Sequence, residues 1–168
     1  MEAYSNWGEA SWEGVEMGIE IRPFKPEDLD EVYAIERRSF LWPWSKGVFI
    51  HFYRVTPHLF LVAIADGRIV GYVMGEMEED GGVKVGHVIN IAVHEAYRRR
   101  GIGSRLMGEM ERIFRELGAE KVRLEVREGN EEAMAFYRHL GYRETGMLKR
   151  YYWGLTAVKM EKSLSDER

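Results

Sequence analysis

Residues 98–104 read Arg-Arg-Arg-Gly-Ile-Gly-Ser, between a run of β-forming residues that ends at Val93 and a stretch with helical period. N–H groups at a helix N-terminus attract anions, and Gly101 and Gly103 would let a phosphate approach the backbone closely. Arg98, Arg99 and Arg100 add the charge that a pyrophosphate or a 3′-phosphate calls for. Two other phosphate loops fit less well. No lysine follows these glycines, as a P-loop requires, and Leu106 stands where a dinucleotide fingerprint has its third glycine. The plainer alternative is an ordinary strand-to-helix turn with solvated arginines. Thiol chemistry is excluded because the chain has no cysteine, and the five histidines show no metal-ligand spacing. No metal is expected.

The surrounding pattern supplies elements that could hold such a loop. Ile19–Pro23 alternates as a short strand, and Pro26-Glu27-Asp28 opens a helix whose apolar stripe is Leu29, Val32, Tyr33, Ile35 and Phe40. Leu41-Trp42-Pro43-Trp44 breaks that helix, and Ser45 caps a second one running to about Tyr53. Leu59–Ala65 and Arg68–Glu78 are β-rich runs joined by Asp66-Gly67, a two-residue hairpin signal. A second turn at Asp80-Gly81-Gly82 leads into a strand over Val85–Val93. Ile102, Leu106, Met110, Ile113 and Leu117 then recur at helical spacing, with Gly118 as the stop. Lys121–Val126 alternates again. Asn130 caps a helix faced by Ala133, Phe136, Tyr137 and Leu140, and two strands follow at about 143–152 and 156–162. Strand–helix–strand–helix in the middle implies a parallel pair, and hairpins at both ends imply antiparallel strands. The expected fold is therefore α/β: one domain with a mixed, mostly antiparallel sheet and about four flanking helices.

Composition narrows the class further. A chain of 168 residues fits one domain, and its 45% apolar and 31% charged residues suit a globular protein. No apolar run is long enough to span a membrane and no signal peptide opens the chain, so the expectation is a cytoplasmic protein with no membrane partner. The chain has no glutamine, only Asn6, Asn90 and Asn130, and abundant Arg, Lys and Glu, a pattern expected of proteins from hot environments. Residues 1–20 carry five glutamates and no Lys or Arg; without them the balance is 24 basic to 23 acidic residues, or +1. Direct nucleic-acid binding is not expected of so neutral a domain. Residues 1–18 read as an acidic arm, with Trp7 and Trp12 as the residues that could dock over a basic cleft. Residues 19–162 form the domain proper and 163–168 a polar tail.

With these stretches in view, the sequence resembles the GCN5-related N-acetyltransferase (GNAT) superfamily. Arg98-x-x-Gly101-x-Gly103 matches its pyrophosphate signature, and the resemblance runs from about Ile19 to Lys162. It looks most like the RimI-type and archaeal N-terminal acetyltransferases, through Gly86-His-Val-Ile-Asn-Ile-Ala-Val93, Leu124-Glu-Val-Arg127 and Asn130-x-x-Ala133-x-x-Phe-Tyr137-x-x-Leu-Gly-Tyr142. Pro43-Trp44-Ser45 and Tyr151-Tyr152 add to the match.

The resemblance implies a central pair of splayed parallel strands with acetyl-CoA between them and an N-acetyltransferase activity. Ile91, Ala92 and Val93 would pair with the pantetheine arm, Arg98–Ser104 (with Arg99, Arg100, Gly101, Ile102 and Gly103) would hold the pyrophosphate, and Asn130 would touch the pantetheine or diphosphate region. Glu125 matches the general base, His87 a second base position, and Tyr137 the residue that returns a proton to the departing thiolate. Phe40, Trp42, Trp44, Tyr151 and Tyr152 would line the acceptor site. Each catalytic position has a plainer reading: Glu125 solvated on the far face of its strand, His87 a satisfied structural histidine, Tyr137 pure packing. One stretch departs from the family: after Tyr151-Tyr152 relatives often carry an acidic run, whereas this chain reads Trp153-Gly-Leu-Thr-Ala157-Val-Lys-Met160. The expected acceptor is a protein or peptide N-terminus, including that of a ribosomal protein. A small-molecule amine or a lysine side chain is the first alternative, and a non-catalytic CoA- or nucleotide-binding module the second.

Overall fold

A computed structural model describes residues 18–152 and 155–165, and at 150–152 the backbone alone. The acidic arm with Trp7 and Trp12, Trp153 and Gly154, and the end of the polar tail lie outside the described residues. In chain order the elements are β1 (Glu20–Pro23), α1 (Leu29–Ser39), α2 (Lys46–Val55), β2 (Phe60–Ala65), β3 (Arg68–Asp80), β4 (Val83–Val93), α3 (Ile102–Glu116), β5 (Lys121–Arg127), α4 (Glu131–His139), β6 (Arg143–Tyr152) and β7 (Leu155–Ser163). The sheet has seven strands in the order β1-β2-β3-β4-β5-β7-β6. It is mostly antiparallel, with one parallel pair, β4 with β5, so the expected fold class is found. That parallel pairing covers Val85–His87 against Lys121–Arg123, while β5 continues to Arg127 paired with β7.

Local chemistry explains the joints. Asp66 and Gly67 have φ of 53° and 73°, the left-handed pair a two-residue hairpin needs, and an Asp-Gly dipeptide adopts it at little cost. Asn130 accepts a hydrogen bond from Ala133 N at 3.1 Å and so caps α4. Three expectations are corrected. Phe40 is not part of α1: its backbone is extended (φ −128°, ψ 142°), because the Leu41–Trp44 break begins one residue earlier. Ser45 stands at the N-cap of α2 but makes no capping hydrogen bond, and α2 extends to Val55. Leu117 lies beyond the last turn of α3 and is exposed, so the apolar stripe ends one position sooner; Phe114, missing from the predicted stripe, is fully buried.

The described chain falls into two compact units. One comprises the residues up to Met74 together with Asn90–Glu109, the other Gly75–Ile89 with the residues from Met110 on. In the first, Phe24 stacks on Phe60 at 4.1 Å, and Phe49 meets Tyr72 edge-on at 5.6 Å. In the second, the ring of Phe114 on α3 lies flat against β3 and β4. A Cβ on Gly75 would fall 2.7 Å from Phe114 Cζ, and one on Gly86 would enter the same ring. The two glycines are thus the floor on which the aromatic ring rests, and they fix the depth of α3 against the strands.

Gly86→Ala is expected to cost about 1–3 kcal/mol by overpacking, seen as a lower urea midpoint at unchanged slope. The double variant Gly86→Ala with Phe114→Leu should recover part of that loss, because the two sites share one volume.

Candidate active site

The second unit gathers five charged side chains on neighbouring strands. Alternation puts Glu76 and Glu78 on one face of β3, and Arg123 and Glu125 on one face of β5. The alternate β5 residues Val122, Leu124 and Val126 are buried in the core. His87 on β4 joins the two sets. Its Nδ1 is 2.6 Å from Glu78 Oε1, and its Nε2 is 2.6 Å from Glu125 Oε2. Glu76 Oε1 stands 3.8 Å from the same Nδ1, and Arg123 Nη2 pairs with Glu78 Oε2.

The protonation state follows from these distances. A bare ring nitrogen facing a carboxylate at 2.6 Å would set lone pair against lone pair, so each contact holds a proton between ring and carboxyl. Burial alone would pull the His87 pKa down, but hydrogen bonds to and charge from Glu125 and Glu78 outweigh it and hold the pKa above the usual imidazole value. Glu78 is held below its usual value despite burial, mainly by His87. Glu76 is pushed up by burial and by its neighbour Glu78.

Glu76, Glu78 and His87 also offer ligand atoms within 4.8 Å of one another. A divalent cation there would have to displace both the Arg123 guanidinium and a ring proton, so we read the group as a proton-holding cluster. Arg123 Nε is buried with no hydrogen-bond partner among the described residues. Glu125 is therefore not solvated on a far face: its side chain is 8% exposed and touches the ring.

Tyr137 is buried in the same unit, between Phe136 at 5.1 Å and Tyr142 at 5.8 Å. Its carbonyl accepts from Tyr142 N at 3.0 Å, and Tyr142 Oη donates to Glu111 Oε2 at 2.7 Å, which Lys162 also pairs. These bonds fix the end of α4.

The anion loop belongs to the first unit. Arg98 is buried: its Nε donates to Val93 O at 2.8 Å, and its Nη2 reaches Ser39 Oγ at 3.4 Å. It braces the loop rather than projecting from it, which the run of three arginines did not indicate. Arg99 is exposed with φ of 62°, and the guanidinium of Arg100 lies 5.0 Å above the Tyr97 ring. The first bond of α3, Arg105 N to Gly101 O, leaves the N–H groups of Ile102, Gly103 and Ser104 ahead of it, the arrangement that accepts an anion. Ile91, Ala92 and Val93 are buried. Ile91 N donates to Asn90 Oδ1 at 3.1 Å and Val93 O accepts from Arg98, so a ligand strand laid on β4 would displace the first bond and share the second.

A buried carboxylate, unforeseen in the sequence, ties the loop at residues 40–44 to β4 in this unit. Glu36 is 1% exposed and receives the Tyr72 hydroxyl, Asn90 Nδ2 at 2.8 Å and the Trp44 backbone N–H at 3.1 Å. Burial pushes its pKa up, against these three donors. Through Trp44 the cluster fixes residues 40–44, whose predicted acceptor side chains are half-buried (Phe40, Trp44) or exposed (Trp42). Trp44 stacks on Phe52 at 6.0 Å. The side chains of Tyr151 and Tyr152 lie outside the described residues.

The mixed sheet with one parallel pair is shared with solved acetyltransferase structures. The chain belongs to the Acetyltransferase (GNAT) family, whose match covers residues 29–142, and it is an N-acetyltransferase. It is 36% identical over 141 residues to an N-alpha-acetyltransferase of Sulfurisphaera tokodaii, covering 79% of this chain and 84% of that one. The crystal structure of Ard1 from Thermoplasma volcanium superposes with a TM-score of 0.81 at 32% identity, covering 88% of this chain and 99% of the other. That of Naa20 from Chaetomium thermophilum, in complex with a bisubstrate analogue, gives 0.79 at 30% identity, covering 86% of each.

Glu36→Gln sets an amide N–H₂ against donors that need an acceptor, so it is expected to cost about 1–3 kcal/mol of stability. The cost should be largest at acidic pH and shrink toward neutral: a carboxyl whose pKa is raised on folding stabilises most while protonated, and that wild-type contribution is lost as pH rises through its folded pKa. Urea titrations of both proteins across pH 5–8 check this; equal stability at all pH values would refute it.

Proposed function

We propose that the protein transfers the acetyl group of acetyl-CoA to the N-terminal α-amine of proteins or peptides, with Glu125 and His87 as a coupled base and Tyr137 as the acid. The observation that carries this reading is the 2.6 Å contact between Glu125 and the buried His87. Acetyl-CoA supplies an acyl thioester, and residues 98–104 and Asn130 would hold it. An ammonium group has no lone pair to attack with, so a base must first take its proton. Once the proton between Glu125 and His87 has left to water, Glu125, directly or through water, takes the amine proton, and the pair shares it. The amine nitrogen forms its bond to the carbonyl carbon, the C–S bond breaks, and the Tyr137 hydroxyl protonates the departing thiolate. The nitrogen's remaining surplus proton restores Tyr137 through solvent.

An α-amine, with a pKa near ~8, suits a base of this kind better than a lysine near ~10.4. The archaeal and fungal relatives named N-alpha-acetyltransferase point the same way. The carboxylate-free stretch Leu155–Met160 favours a second reading, in which the acceptor is another amine, of a small molecule or a lysine. A cytoplasmic and heat-adapted setting with ribosomal-protein N-termini among the acceptors belongs to the same proposal; no described helix is long and apolar enough to cross a membrane.

Release of free CoA thiol should be seen with acetyl-CoA and peptides bearing free N-termini, and not with blocked peptides carrying lysine or with polyamines. The reverse pattern would establish the second reading. Glu125→Gln is expected to lower kcat by about 100-fold, most steeply at low pH where the amine is mostly protonated. Tyr137→Phe should lower kcat while leaving the acetyl-CoA KM within about threefold. Unchanged turnover in both variants would remove these roles.

A further inference from the structure

The base cluster has a third member that the reaction itself does not touch. Glu78 Oε1 lies 2.6 Å from His87 Nδ1, the ring nitrogen turned away from Glu125. The other oxygen of Glu78 is held by Arg123, so this carboxylate cannot drift from the ring. An imidazole whose Nδ1–H is given to a fixed carboxylate keeps one orientation and gains stability as a cation. We propose that Glu78 is the positioning residue of the base: by accepting Nδ1–H it aims Nε2 of His87 at Glu125 and tunes how readily that pair takes a proton from the amine, with Arg123 opposing it. This rests on the reading of Glu125 and His87 as the base.

The charges around the ring set the sign of the effect. From β3 come Glu76 and Glu78, and from β5 come Glu125 and Arg123; on β7, Lys159 and Glu161 stand opposite Glu125 and Arg123 in the register. Three carboxylates against one guanidinium favour the imidazolium. The pair becomes receptive when its shared proton, between Nε2 and Oε2, leaves to water; the proton from the amine then takes that place, so protons balance with no other reactant. Neutralising Glu78 makes the shared proton leave at lower pH, and neutralising Arg123 makes it leave at higher pH.

The test is the pH dependence of kcat/KM with one N-terminal peptide, whose own amine titration is common to all variants, alongside NMR titration of the His87 ring. Glu78→Gln should move the acid limb and the ring titration down by about one pH unit, and Arg123→Gln should move both up by a similar amount. Glu78→Asp should return both toward wild type, and the acetyl-CoA KM should stay unchanged throughout. A Glu78→Gln enzyme slowed by the same factor at every pH would overturn the inference, as would shifts of the same sign in the two neutralised variants. If Glu78→Gln does not fold, Arg123→Gln decides alone, and a limb that stays or moves down overturns it. Full turnover in Glu125→Gln would remove the base reading and this inference together; an inactive Glu125→Gln beside an unshifted Glu78→Gln removes this inference only.

Discussion

A buried imidazole held between two carboxyl groups on flanking strands is the interaction on which the second unit is organised. Burying one charge costs several kcal/mol unless it is paired and hydrogen-bonded. His87 meets that demand at both nitrogens, which requires β3, β4 and β5 to present their polar faces at matching heights. The opposite faces of the same strands carry Gly75 and Gly86 under Phe114, and Val122, Leu124 and Val126 in the core. A one-residue slip of any strand would turn the charges into the core and the apolar residues out. Packing on one face therefore holds the register that the charge cluster on the other face needs.

The first unit solves a similar problem with different chemistry. Glu36 is more deeply buried than any member of the His87 cluster, yet no cation stands among its hydrogen-bond donors; a hydroxyl, an amide and a backbone N–H satisfy it. Neutral donors of fixed geometry suit a structural tie, because no proton need move. The His87 cluster contains a titratable ring, two or more carboxylates and partial exposure of Glu78, the features of a group meant to change its proton count. The contrast suits Glu36 to anchoring, and it supports the proposal that the His87 set handles protons.

What could be read in the sequence follows the range of the interaction. Asp66-Gly67, the Asn130 cap and the period of α3 depend on neighbours a few residues away, and each was legible. Phe40 and Leu117 failed at element ends, where a continuing apolar spacing does not reveal that the backbone has already left the helix. Glu36 was invisible because its partners Tyr72 and Asn90 are 36 and 54 positions distant, and a glutamate beside Arg37 and Arg38 looks solvated. Glu78 lay within reach of a simple count: a two-residue turn at Gly81-Gly82 sets 80 across from 83 and hence 76 across from 87, which brings residues 76–78 of β3 to the histidine. Read without that count, Glu-Met-Glu-Glu-Asp passes for the polar end of a strand. The inward turn of Arg98 onto the Val93 carbonyl also left no trace, since a run of three arginines gives no sign of which one folds back.

The choice of acceptor comes down to how far uphill the first proton must be carried. Moving a proton from an amine to a given base becomes harder by 1.36 kcal/mol for each unit by which the amine's pKa exceeds that of the base. A lysine side chain lies about 2.4 units above an α-amine, so the same base faces about 3 kcal/mol more, roughly a hundredfold in the fraction of reactive amine. A histidine whose pKa is raised by two carboxylates narrows the gap to an α-amine but still falls well short of lysine. An enzyme built for lysine would gain by weakening the cationic neighbour Arg123 or by desolvating the amine in an apolar pocket. In this chain the guanidinium is paired with Glu78. The electrostatics of the cluster thus weigh toward the more acidic of the two amines, the chain terminus.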